Sequence, residues 1–78
     1  MTAVTPRTVE QYLDALRQAL KGADPALAQD ALYDAEEHLR AELAQHPGDA
    51  EGDVLARIVT SYGAPDEVAD AYRANEAT

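Results

Sequence analysis

The segment YGAPDEVADAY, Tyr62 to Tyr72, sets a glycine and a proline two positions apart between two runs with helical patterning. Upstream of it, Val54, Leu55, Ile58, Val59 and Tyr62 recur at three- and four-residue intervals, the apolar face of a helix that Gly63 ends. Pro65 has a fixed φ and no N–H to lose, so it suits the first position of a new helix. Asp66 and Glu67 follow in the first turn, where acids complement the helix dipole. Val68, Ala69 and Tyr72 then fall on one inward face. The segment therefore reads as a corner: a helix over 50–62 meets a shorter one over 65–74, and the tail 75–78, NEAT, frays.

The same logic carries toward the N-terminus. A helix over 25–45 opens at Asp24-Pro25, a capping side chain followed by proline, and stops before His46-Pro47-Gly48. Ala28, Leu32, Ala35, Leu39 and Leu43 make its apolar stripe, with Ala31 alongside. Asp49 is placed to cap the helix after it, with Glu51 and Asp53 in the first turn. A first helix over 6–21 carries Val9, Leu13, Leu16 and Leu20 in one stripe, with Tyr12 beside them, and meets Gly22 at its end. Its start has two readings: Thr5-Pro6 as cap and first residue, or Thr8 with Gln11 as a capping box. The fold expected is an all-α bundle, a single domain over 1–78 with three main helices and a short fourth.

Composition agrees. The chain has 78 residues, of which 17 are alanine, the best helix former, and it has no Trp, Phe or Cys. The large core residues must come from eight leucines, five valines, Ile58 and four tyrosines. Without cysteine there is neither a disulfide nor a thiolate metal site. Fifteen acidic residues against six basic ones give a formal net charge of −9. Such a surface repels phosphate backbones and anionic membranes, so direct nucleic-acid binding is disfavoured. No apolar run reaches the roughly 18 residues of a membrane span. The N-terminus lacks the pattern of a signal peptide, which makes the cytoplasm the default compartment.

Candidate chemistry concentrates on the second helix. His38, Glu42 and His46 are spaced four and four, on one helical side, as a divalent-metal site would need. The order departs from the metalloprotease pattern, and His46 sits where the helix ends, so surface charge accounts for the same residues. Asp30, Asp34 and Glu37 form an acidic row, either a solvated face or a docking surface for a basic partner, while Arg40 can relieve Glu36 one turn away. Tyr33 projects from the side opposite the apolar stripe, together with Glu37, Ala41 and Ala44. Tyrosine is enriched in interfaces, so this back face is a candidate contact surface, for a protein partner or a homodimer. No nucleophile with its base and no phosphate loop is visible. The expectation is a protein that is not an enzyme and uses no cofactor.

Taken together, VEQYLDALRQALKG, AEEHLRAEL and YGAPDEVADAY resemble the HAAS domain, a small bacterial helical signalling module. Tyr12, Leu13, Leu16, Leu20 and Gly22 match its first element. Glu36, Glu37, His38 and Leu39 match the second, and Gly63, Pro65, Glu67, Val68 and Ala69 the third. Ala64 departs from a family position that often carries a capping side chain, which leaves the last helix's first N–H groups to water or Asp66. The resemblance implies a regulatory role: an interaction module at the cytosolic end of a membrane protein, or beside a PadR-like transcription regulator. A membrane tether would then lie in a segment outside this chain. The acidic surface suits a partner with a basic one. A second reading is an acidic regulator that competes with DNA for a partner's basic groove.

Overall fold

The computed structural model of the chain describes residues 6–76. Four helices follow one another: α1 Val9–Ala19, α2 Pro25–Gln45, α3 Glu51–Ser61 and α4 Pro65–Glu76. No strand occurs among the described residues, and the protein is all-α.

Each boundary has a chemical cause. Thr8 holds extended backbone and its Oγ1 accepts the Gln11 N–H at 3.1 Å. Gln11 Oε1 in turn accepts the Arg7 N–H at 2.9 Å, so the capping-box start is the one used. The helix expected over 6–21 therefore begins three residues later; Thr5, in the other reading, lies outside the described residues. It also ends early, at Ala19. Its last carbonyls are met by the Lys21 N–H on Gln18 O and by a side chain from α4 described below. Gly22, at φ +90°, then makes the turn that other residues resist.

Helix α2 starts as read, with Asp24 accepting the Ala26 N–H at 2.9 Å and Pro25 in the first turn. Helix α3 does not. Its N-cap is Ala50, which makes no side-chain bond, and Asp49 is drawn elsewhere: its carboxylate accepts from Arg57 Nη2 at 2.7 Å and lies 3.5 Å from His46 Nδ1. A full charge two turns into α3 is a stronger partner than the helix's own first amides. Helix α4 lacks a side-chain cap at Ala64, as expected, but neither water nor Asp66 is needed for that residue's N–H. Glu67 reaches back and its Oε1 accepts it at 3.0 Å, the acidic half of a capping box. The helix runs to Glu76, two residues past the expected end; the last two residues of the tail, 77–78, lie outside the described residues.

The core joins all four helices. Tyr12, Leu16, Ala31, Ala35, Leu39, Val54, Leu55, Ile58 and Ala69 are almost wholly buried, with Val9, Leu20 and Val68 close behind. On α2 the buried line is Ala31–Ala35–Leu39; Ala28, Leu32 and Leu43, expected on the stripe's centre, are only partly buried at its margins. Alanine at the centre of the line removes bulk, so α2 can take α1, α3 and α4 against its length. No helix among the described residues is long and apolar enough to cross a membrane.

Candidate interaction surface

The corner at Tyr62–Pro65 is built from both directions. Gly63 takes φ +126°, and its N–H reaches back to the Ile58 carbonyl at 3.1 Å. A Cβ there would lie 3.4 Å from Val68 Cγ2 and demand a backbone conformation L residues avoid. From the opposite end of the chain, Tyr12 inserts between the helices and its hydroxyl donates to the Gly63 carbonyl at 2.7 Å. Burial, reinforced by the neighbouring Tyr62, Glu67 and Asp66, pushes the Tyr12 phenol far above its usual range. The Tyr12 hydroxyl therefore stays a donor at any ordinary pH.

Helix α1 is closed at both ends by later parts of the chain. Glu51 Oε2, in the first turn of α3, accepts the Val9 N–H at 3.0 Å. At the other end the Arg73 guanidinium, from α4, donates to the Ala19 carbonyl at 3.1 and 3.3 Å and to the Lys21 carbonyl at 2.6 Å. A carboxylate thus meets the positive end of the dipole and a guanidinium the negative end. None of these groups is left for chemistry.

The residues expected to act together on α2 divide among three places. His38 stacks on Tyr62, with ring centroids 4.3 Å apart and planes 17° from parallel. His46 instead lies at the end of the helix, Nε2 3.9 Å from Glu42 Oε2 and Nδ1 3.5 Å from Asp49 Oδ2. The three-residue metal set therefore does not assemble, and among the described residues no group of three His, Asp or Glu is placed to hold a metal ion. Asp34 leaves the acidic row for the same flank as His38, where its Oδ2 accepts the Tyr72 hydroxyl at 2.9 Å. Burial first, then that bond and the charge behind it, push the Tyr72 phenol up to about 12; burial and Asp34 raise Tyr62 in the same direction. Arg40 lies on Glu36 through Nε and Nη2, at 2.9 and 2.7 Å, as the one-turn spacing suggests.

What remains on the outer side is Tyr33, with Asp30, Glu37 and Ala41 exposed around it. Tyr33 is 66 % exposed and is the large hydrophobic residue left uncovered among the described residues. Helical periodicity puts these residues on one outer side in the sequence reading, and they are exposed there. Of the groups that reading missed, Glu67 was readable as the N3 acid behind Ala64. Tyr12, Glu51 and Arg73 act across 42 to 54 positions of sequence, and no local signal announces such pairs.

A family model, HAAS, matches residues 11–71, from within the first turn of α1 to the middle of α4. The chain belongs to the HAAS family. HAAS domains are small non-catalytic helical domains associated with protein–protein contact. Among the described residues no buried side-chain nitrogen or oxygen lacks a hydrogen-bond partner. The matched span holds both the Tyr12–Gly63 contact and the Tyr33 face. No curated protein and no solved structure matches this HAAS chain.

Proposed function

We propose that this HAAS chain is a non-enzymatic signalling module that binds a partner protein through the outer side of α2, using Asp30, Tyr33, Glu37 and Ala41, with Asp34 at the margin. The observation that carries this reading is Tyr33: a large ring, 66 % exposed, on a helix whose other side is sealed into the core. A ring in that position is costly in water and is recovered when a partner covers it. Asp30 and Glu37 beside it, on a chain of net charge −9, favour a partner with a basic contact surface. A PadR-like regulator in a bacterial cytosol is the partner class the family suggests, whether this module stands alone or heads a membrane protein.

The test is titration with a purified PadR-like regulator from the same genome, read by calorimetry. The chain binds, and Tyr33→Ala weakens binding at least tenfold while its melting temperature stays within about 2 °C, because the ring makes no core contact. The absence of binding, or a Tyr33→Ala variant that binds as tightly as wild type, overturns the reading. The net charge also favours a second mode, occupation of the regulator's DNA groove by the acidic surface. Raising salt separates the two: competition through charge collapses steeply with ionic strength, whereas docking through Tyr33 falls only modestly.

A further inference from the structure

A notch of about 360 Å³ opens between the end of α3 and the outer side of α4, walled by Thr60, Ser61, Tyr62, Glu67, Ala71 and Tyr72. It lies at the corner, apart from the Tyr33 face, since Tyr33 is not among its walls. Its size is at the lower end for a ligand site and it is open on one side, so it suits the head of a side chain.

Apart from the Tyr62 hydroxyl, the side-chain polar atoms of the notch share one character: none has a proton left to offer. Thr60 Oγ1 donates to the Ala56 carbonyl at 3.2 Å and Ser61 Oγ to the Arg57 carbonyl at 2.9 Å. The Tyr72 hydroxyl donates to Asp34, and the Glu67 carboxylate is an acceptor throughout. What these groups offer a visitor is lone pairs and negative charge. No lysine or arginine lines the notch, and the nearest two in sequence are occupied: Arg57 on Asp49 and Arg73 on the carbonyls ending α1. Two tyrosine rings, both partly buried, complete the walls, and such rings attract a cation within about 6 Å of the centroid.

We propose that this notch receives the guanidinium of an arginine on a partner protein. Arginine fits better than lysine because its planar head both stacks on tyrosine and presents several donors in a fixed fork. Glu67 supplies the charge, Ser61 and Thr60 the neutral acceptors, and Tyr62 and Tyr72 the aromatic walls. This site is additional to the Tyr33 face and stands or falls independently of it.

The experiment is a nitrogen–proton correlation NMR titration of the whole chain with a blocked Gly-Arg-Gly peptide, beside the citrulline peptide and guanidinium chloride. Saturable shifts centred on Tyr62, Gly63, Ala71 and Tyr72 are expected with the arginine peptide. The neutral citrulline peptide should bind at least tenfold more weakly, and free guanidinium more weakly than the arginine peptide. Glu67→Gln removes the charge but keeps an Oε1 for the Ala64 N–H, so the variant stays folded and should bind at least fivefold more weakly. Equal binding of arginine and citrulline, unchanged affinity in Glu67→Gln, or shifts spread evenly over the acidic surface without saturation would overturn the site. Free guanidinium binding as well as the peptide would overturn its assignment to a partner's side chain.

Discussion

Tyr12 shows how much one atom can fix. Its ring fills the core and its hydroxyl holds the carbonyl of a glycine 51 positions away. Tyr12→Phe keeps the ring and orphans that carbonyl, which should cost about 1–3 kcal/mol. For a chain this short, each kcal/mol lowers the melting temperature by roughly 4–8 °C, so calorimetry will register the change. The ring's place on the apolar stripe is legible in the spacing of Val9, Leu13 and Leu16; the hydroxyl's acceptor is not, because nothing near Tyr12 in sequence points to Gly63. Tyr33 is the converse. Its exposure follows from periodicity alone, so the residue that carries the proposed contact surface is legible in the sequence.

At the level of the helices, legibility follows how local each signal is. Thr8 and Asp24 accept from amides three and two residues away and Pro25 presets the first helical turn, so the starts of α1 and α2 can be read from them. Asp49 misleads because two partners compete for it, and the winning one, Arg57, lies eight positions on. The consequence is a helix, α3, that opens on Ala50 with no side-chain cap. Ala50 already holds the extended backbone of a capping residue, so Ala50→Ser should supply the missing acceptor and stabilise the protein by about 0.5–1 kcal/mol. Urea unfolding checks this: the midpoint should rise with an unchanged slope. The end of α1 is misread for a different reason. Lys21 and Gly22 mark a stop correctly, but the Arg73 guanidinium takes the carbonyls of Ala19 and Lys21 out of the helical ladder's service.

Across the whole molecule, the tyrosines of α1, the α3 end and α4 share a bias that shows up as a pH limit. Tyr72 is pushed up to about 12, with Tyr12 and Tyr62 moved the same way, against about 10 in an unfolded chain. A raised folded-state pKa means the neutral form is favoured by the fold. The associated stability is therefore complete below pH 10 and is lost as pH climbs from 10 through 12. Denaturation midpoints should hold below pH 10 and fall steeply above it. Tyr72→Phe should start slightly lower and fall less over that range, and a flat wild-type profile to pH 12 would contradict the assignment. The closure of α1 by Glu51 and Arg73 has a further effect, on the route to the native state. Bonds that span 42 to 54 positions cannot form until α3 and α4 exist, and loop closure must precede their gain. Neighbour-only helical bundles fold by local zipping; here α1 is made before α2, α3 and α4 yet is among the last of the four to be secured, so folding has to wait for the corner between α3 and α4.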